Sequence, residues 1–353
     1  MAFIVVISIY SVFIIALAFG FARLADIPIP KNSELHFISV IVPARNEKTL
    51  PDFSHIDYPH DKWELIIVDD SDVPIQRAGI IRSPSPGKKA AITAGVAKAK
   101  GDIIATTDAD CFVPQTWLTD INNAFQRPDL KMIVGGVRIE ENKTFFSKLQ
   151  ALEFVSVTAT GAATIGLGLP TMSNGANLAY RREAFLEVDG YRGNEQVSSG
   201  DDEFLMNKFK QRWKNSIGFL YSRSSIVATQ SSETVSQFVQ QRLRWAGKWR
   251  HNISGYTRVF AMVVWLFHLV FVAMPFAATF GFITWKLFFI LASVKIFTES
   301  VFLIPATNFF GVRWRWFSFL TLQLIYSFYV ISIGIIAQFS SPAWKGRAVE
   351  TKV

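Results

Sequence analysis

Sulfur chemistry is nearly absent from this chain: its 353 residues include one cysteine, Cys111. A single thiol forms no internal disulfide, so nothing ties the chain to an oxidising compartment, and it excludes a thiolate zinc site. Charge is scarce as well. Charged residues make up 18%, with 36 Lys and Arg against 28 Asp and Glu for a net +8. Hydrophobic residues fill half the chain, with 32 Phe and 10 Trp. A chain this apolar is neither disordered nor a nucleic-acid coat, and a mean hydropathy of +0.26 exceeds that of most soluble enzymes. The composition is that of a membrane protein with a water-soluble part. Its positive balance is read as flanks facing anionic lipid, with no nucleic-acid partner.

The apolar residues are unevenly spread, and the unevenness gives the organisation. Ala2 to Ala22 carry no charge before Arg23, a run long enough to cross a hydrocarbon core of roughly 30 Å at about 1.5 Å per residue. A cleaved signal peptide is the alternative. The start lacks a basic segment and the run exceeds the usual apolar stretch of about 7–15 residues, so a retained N-terminal transmembrane helix over 1–24 is expected. Three further runs, Val259 to Trp285, Leu287 to Ala306 and Trp316 to Phe339, are bounded by Arg258, Lys286, Arg313 and Arg315 and are also expected to cross. The expected division is a soluble domain at 34–256, three transmembrane helices within 257–340 and a tail at 341–353. The basic cluster Arg242, Arg244, Lys248, Arg250, His251 and Arg258, with Arg313 and Arg315, places the soluble domain in the cytoplasm at an inner or plasma membrane. The tail fits less well: Lys345, Arg347 and Lys352 are basic, yet four crossings would put them outside. Either the earlier charges override the tail, or one segment is interfacial or re-entrant.

Within the soluble part, Phe37 to Pro43 is a β-branched apolar run of the kind buried in a parallel sheet. It feeds the polar loop Pro43-Ala44-Arg45-Asn46-Glu47. Trp63 to Val68 is a second strand ending in Asp69-Asp70-Ser71-Asp72, and Gly87-Lys88-Lys89 opens an Ala-rich helix to Lys100. Gly101 to Thr107 is a third strand, ending in Asp108-Ala109-Asp110. Strand and helix alternate while polar residues gather at strand C-termini, the layout of a nucleotide-binding α/β sheet. Asp108 and Asp110 can point to one ion, because hard divalent cations take carboxylate oxygens and share their shell with a diphosphate. Asp69 or Asp70 is placed to accept hydrogen bonds from a base or ribose. Lys88 or Lys89 adds a cation where helix N–H groups already favour anions. The plainer alternative for each acid is a turn residue or helix cap; three acidic clusters at successive strand ends favour a site.

In order along the chain, Pro43-Ala44-Arg45-Asn46-Glu47, Val68-Asp69-Asp70-Ser71, Gly87-Lys88-Lys89-Ala90-Ala91, Asp108-Ala109-Asp110, Gly200-Asp201-Asp202 and Gln241-Arg242-Leu243-Arg244-Trp245 resemble glycosyltransferase family 2. The last segment is similar to the QxxRW signature of its membrane-bound branch, which includes cellulose, chitin and hyaluronan synthases and ceramide glucosyltransferase. The resemblance covers about 35 to 255. It implies a GT-A-type nucleotide-binding domain with a mainly parallel sheet, alongside about four transmembrane helices. By the same resemblance, Pro43, Arg45, Glu47, Asp69, Asp70, Lys88 and Asp108 hold the nucleotide sugar, and Asp108 with Asp110 bind Mg²⁺ or Mn²⁺. Gln241, Arg244 and Trp245 close over the diphosphate and acceptor; a basic, aromatic flank to the next membrane helix is the alternative. Asp202 is the implied general base, with Asp201 the competing choice and a helix cap at Ser199 to Asp202 the plain one.

The stretch Ser173 to Arg182 resembles the family's acceptor-side loop, which assigns Asn174, Gly175 and Asn177, with Trp245, to acceptor or donor-sugar contact. Phe145 to Leu169 is apolar and rich in small residues, and reads as an interface helix against the membrane or as a buried core helix. Lys295 and Glu299 lie four apart on one helical face and can pair, or line an acceptor or product path. His268 reads as a satisfied polar contact. The sequons at Asn142 and Asn252 stay unglycosylated if the domain is cytoplasmic. The expected activity is an inverting, metal-dependent hexosyl transfer from a nucleotide sugar, UDP-linked, to a membrane lipid or lipid-linked glycan. A processive polysaccharide synthase is the runner-up, and a non-catalytic sugar-nucleotide-binding membrane protein the remote alternative.

Overall fold

A computed structural model describes residues 1–26, 34–47, 49–194, 200–247 and 255–339, with short backbone segments at 343–344 and 347–348. Ser199, Lys248, Arg250, His251, Asn252, Lys345, Lys352 and the Arg347 side chain lie outside the described residues. The chain opens with α1, Ala2–Arg23. Next come β1 (Ile38–Ala44), β2 (Trp63–Asp69), the short β3 (Ile81–Arg82), α2 (Lys88–Lys98) and β4 (Ile103–Thr106). They are followed by α3 (Trp117–Ala124), β5 (Met132–Gly135), β6 (Val137–Glu140), α4 (Phe145–Gly166) and β7 (Leu178–Arg181). Then come α5 (Arg182–Glu187), α6 (Asp201–Arg212), β8 (Ile217–Leu220), β9 (Val227–Gln230) and α7 (Val235–Gly247). Three long helices follow: α8 (Gly255–Thr279), α9 (Trp285–Phe310) and α10 (Trp316–Phe339).

The main sheet has seven strands in the order β3-β2-β1-β4-β7-β5-β8. β7 runs antiparallel to its neighbours β4 and β5, and the other pairs are parallel, so the expected mainly parallel α/β sheet is present. Register then places the polar loops. Ile38 pairs with both Trp63 and Ile103, so β1, β2 and β4 discharge their C-termini at one edge. Antiparallel β7 brings its N-terminal approach to that same edge, since Leu178 pairs with Thr106. Both sheet faces are covered, which is why β1 reads as continuously apolar. Ile41, Ile66 and Ile104 pack with Val96, Leu205 and Phe209 on one face, and Val40, Val42 and Ala105 face Trp117, Ile121 and Phe125 on the other. Each such fully buried large side chain contributes about 1.5–3 kcal/mol of hydrophobic stabilisation.

The second core continues without a break into the apolar helices. Of the two readings for Phe145 to Leu169, the buried helix is the one observed. α4 is capped by Thr144, whose Oγ1 accepts from the Ser147 N–H, and Ala151 to Val155 are all buried. It is wedged between the sheet layer and α1, α9 and α10. Gly20 lets α1 and α4 touch backbone to backbone: a Cβ there would sit 2.6 Å from Leu167 Cγ and against the Ala163 carbonyl.

Among the described residues, four helices, α1, α8, α9 and α10, are long and apolar enough to cross a membrane. The expected Val259 to Trp285 run is cut short. α8 ends at Thr279, Gly281 turns the chain at φ +79°, and Thr284 caps α9 through Leu287 N–H. α9 in turn runs past Ala306 to a left-handed Gly311 cap. Lys295 Nζ lies 2.8 Å from Glu299 Oε1, so the two do pair. Tyr10 and Gln323 donate to the same carboxylate at 2.7 Å each, and Lys295 also donates to Gln323 at 2.5 Å. His268 Nδ1 meets Ser327 Oγ at 2.9 Å, a satisfied contact as expected. α10 lies along α4 and α7. Arg315 at its start bonds Glu141 at 2.7 and 2.8 Å, Tyr329 donates to Glu153, and Ile333 and Ala337 pack on Leu243.

Candidate active site

The loops after β1 and β2 are laced together before any ligand is considered. Arg45 is buried; its Nη1 donates to the Asp70 carbonyl at 2.9 Å and its Nη2 to both Asp72 oxygens at 3.0 and 3.1 Å. Asn46, in the left-handed region at φ +52°, donates its N–H to Ser71 Oγ and exchanges side-chain bonds with Asp72. Two neighbouring acids then part company. Asp69 turns into the protein: its oxygens accept from the Ser71 and Ile75 N–H groups and from Arg82 Nη1 at 2.8–3.0 Å. Burial works to raise its pKa, but those bonds outweigh burial and hold it below the usual aspartate value. Asp70 instead lines the cleft with Pro43, Arg45 and Glu47, and its Oδ2 accepts the Gly87 N–H where α2 begins.

Lys88, the first residue of α2, sits at the centre. Its Nζ is 2.5 Å from Asp108 Oδ1 and 3.5 Å from Asp201 Oδ2. Burial alone would lower its pKa, yet the charges of Asp108 and Asp201 raise it above the ordinary lysine value. Lys89, the alternative, is turned away and donates to the Asn194 carbonyl. Asp108 and Asp110 follow β4. With Cys111 they place ligand atoms within 4.8 Å of one another. Burial, reinforced by Asp108 and Asp110, pushes the Cys111 thiol up, which leaves the two carboxylates as the charged donors. Two hard oxygen donors facing a cleft suit Mg²⁺ or Mn²⁺ beside a diphosphate.

α6 brings Asp201 and Asp202 to the opposite wall at its N-terminus, after Gly200 in the left-handed region. Asp202 accepts from its neighbour's N–H, at Glu203, and across the cleft from the Gly175 N–H at 3.1 Å. Gly175 is closely surrounded: a Cβ there would lie 3.0 Å from Lys88 Nζ and 3.1 Å from Asp201 Oδ2, so a larger residue would crowd both. Asn174 also lines the cleft. Asn177 does not, and its expected ligand contact is corrected. It is buried, accepting from Trp117 Nε1 at 2.9 Å and donating to the Gly136 and Ser225 carbonyls, so its amide is spent on joining β7 to the loops around it.

α7 closes the remaining side with Gln241, Arg244 and Trp245, all lining the same cavity. Burial lowers the Arg244 pKa, against the pull of Asp108, Asp201, Asp202 and Asp110. A guanidinium therefore hangs over the acids. Arg242 points the other way, into an ion pair with Glu153, a residue that the sequence reading passed over. The cavity, about 570 Å³, runs from the acids past Ser156, Thr160 and Trp265 to Tyr10, His268, Glu299 and Gln323 inside the helical bundle.

A GT-A-like fold with its acids gathered at one sheet edge defines the class, and residues 39–188 match the family model of glycosyl transferase family 2. The likeness extends to named proteins. The chain is 23% identical over 266 residues to "Glycosyltransferase AglE" of Haloferax volcanii, covering 67% of this chain and 81% of that one. It is 24% identical over 237 residues to an N-acetylglucosaminyltransferase of Rhizobium meliloti, covering 59% of this chain and 54% of the relative. A beta-monoglucosyldiacylglycerol synthase of Synechocystis is 26% identical over 59% of this chain and 47% of its own. The chain thus spans about half the length of several curated relatives. In fold it is similar to a Pyrobaculum calidifontis mannosyltransferase solved with GDP-Man and Mn²⁺, with a TM-score of 0.56, 13% identity, and coverage of 98% of this chain and 99% of that one.

Proposed function

We propose that the protein is an inverting membrane glycosyltransferase that moves a hexose from a nucleotide sugar, UDP-linked, to a membrane lipid or lipid-linked glycan. One observation carries this reading: Asp70, Lys88, Asp108, Asp110, Asp201, Asp202 and Arg244 converge on a single cavity that continues between apolar helices. The soluble domain, 34–256, lies on the cytoplasmic face, and the acceptor reaches the cleft from the bilayer. Asp70 and the Pro43–Glu47 loop hold the nucleoside, while Lys88 and Arg244 meet the diphosphate. Asp108 and Asp110 hold Mg²⁺ or Mn²⁺, which when bound neutralises charge on the departing diphosphate. Asp202 takes the proton from the acceptor hydroxyl as that oxygen bonds the anomeric carbon and the bond from that carbon to the diphosphate oxygen breaks. Trp245 offers an aromatic face to the acceptor, and Asn174 and Gly175 border the sugar.

A processive polysaccharide synthase is the second reading, favoured by the polar and aromatic lining that the cavity keeps inside the bundle. The test is a screen of UDP- and GDP-sugars with purified protein, native lipid extract and Mn²⁺ or Mg²⁺. Nucleoside diphosphate release should appear with one donor, stop with EDTA and in Asp110→Asn, and fall in Asp202→Asn with donor binding kept. One-sugar lipid products support the first reading and long polymer the second; absence of donor binding overturns both. If Asp201→Asn rather than Asp202→Asn loses transfer with binding intact, the base is Asp201.

A further inference from the structure

A buried ion pair sits directly behind the QxxRW segment. Arg242 and Glu153 keep only 4% and 5% of their side chains exposed, and Arg242 Nε and Nη2 reach the two Glu153 oxygens. The same guanidinium makes two further contacts. Its Nη1 donates to Gln241 Oε1 at 2.9 Å, and its carbon lies 4.2 Å from the Trp245 ring centroid and 4.6 Å from that of Phe238. Glu153 also accepts from Tyr329 on α10, and its neighbour Phe154 packs on Trp245 with ring centroids 5.8 Å apart.

Resting on the transferase reading, we propose that Glu153 is a positioning residue for acceptor transfer, which fixes Gln241 and Trp245 through Arg242. α7 is an amphipathic helix held to α4 by this pair and by the ring contacts Phe146–Phe238 and Phe154–Trp245, and the ion pair is its charged anchor. A guanidinium reaches a carboxylate with two parallel bonds only in one geometry, so the pair sets both the depth and the rotation of the helix. Rotation matters because Gln241 and Trp245, four apart, share a helix face that Arg242 flanks, so turning α7 moves both together. Held by Glu153, Arg242 presents a flat cation to the back of the Trp245 ring, leaving the opposite face for a sugar. The donor-side residues Asp70, Lys88, Asp108 and Asp110 lie at the sheet edge, whereas Glu153 lies on α4 and is bonded to α7 and α10. Loss of the Glu153 carboxylate should therefore separate donor binding from transfer, which a general loss of stability would damage together.

The test uses the full-length protein in detergent, comparing wild type with Glu153→Gln and Glu153→Asp. Glu153→Gln keeps shape and removes the charge, leaving a buried guanidinium uncompensated. The expected result is a kcat for transfer lowered roughly 10- to 100-fold and an unchanged nucleotide-sugar Kd, with Glu153→Asp partly restored. The activity-independent arm labels a cysteine placed at Ala246 with a maleimide, Cys111 being buried. Labelling should quicken several-fold in Glu153→Gln. Unchanged transfer, or equal losses of donor binding and transfer, overturns the proposal. If wild type turns over no donor, the transferase reading fails on its own, and the labelling arm still reports whether Glu153 holds α7. Should Glu153→Gln not fold, Arg242→Lys, which keeps the charge and loses the two-point geometry, gives the same split.

Discussion

Replacing Lys88 by Met should move two affinities in opposite directions. The ammonium lies 2.5 Å from Asp108 and 3.5 Å from Asp201, so it now neutralises one of the two acids that a divalent ion would need. A charge-assisted hydrogen bond contributes about 1.5–3 kcal/mol. With 18% of the Lys88 side chain and 36% of Asp108 exposed, water screens the pair, and the lower half of that range applies. Loss of the ammonium should then weaken nucleoside diphosphate binding about 10- to 30-fold. Binding of Mn²⁺ alone should strengthen roughly 3- to 10-fold, because Asp108 no longer has an internal cation to give up. Titration of Mn²⁺ by electron paramagnetic resonance without nucleotide, and calorimetry with nucleoside diphosphate, read the two separately. If both affinities fall together, the lysine supports the loop and does not compete for it, and the reasoning is refuted. The pH arm has a definite sign. The folded pKa is raised above the ordinary 10.5, so the lysine's contribution is whole below that value and is lost only as pH rises beyond it.

Asn177→Ala should destabilise the fold by about 2–4 kcal/mol in thermal or denaturant melts, since Trp117 Nε1 and two buried carbonyls lose their partner, while donor affinity of the folded fraction is unchanged. Asp69 is held below the usual value of 3.8, so its stabilisation is present above that pH and lost as pH falls through the lower folded value. Hydrogen-exchange protection of the 70–75 loop, taken relative to the intrinsic rate at each pH, should therefore fall on acidification in wild type and be low throughout in Asp69→Asn; a flat wild-type profile would sink that account.

Much of the fold was legible because its signals are local. A β-branched run stopped by Pro43, an Ala-rich helix opened by Gly87 and charge-free runs of membrane length each follow from a short window of sequence. The parallel register then carried Asp70 and Asp108 to one edge without further information. What could not be read is what depends on which way a side chain turns. Asp69 and Asp70 are adjacent and identical, yet one ties a turn and the other faces the cleft. Asn177 has the residue type of a sugar contact, and only β7 pairing shows that its amide is occupied. Glu153 gave no signal at all. It lies in the middle of an apolar helix, and its partner is 89 positions away.

Helix α10 does two jobs with one rod. It walls the bundle cavity through Gln323 and Tyr326, and it is fastened to the sheet-bearing part of the chain at Glu141, Glu153 and Leu243. A bilayer that is too thick or too thin tilts such a helix at a cost of fractions of a kcal/mol per Å. The rod cannot tilt without tugging Tyr329 against Glu153 and, behind it, Arg242 and Trp245. On the proposed membrane reading, lipid thickness would be geared to the mouth of the cleft, and transfer rates in vesicles of graded acyl length should vary less in Tyr329→Phe than in wild type.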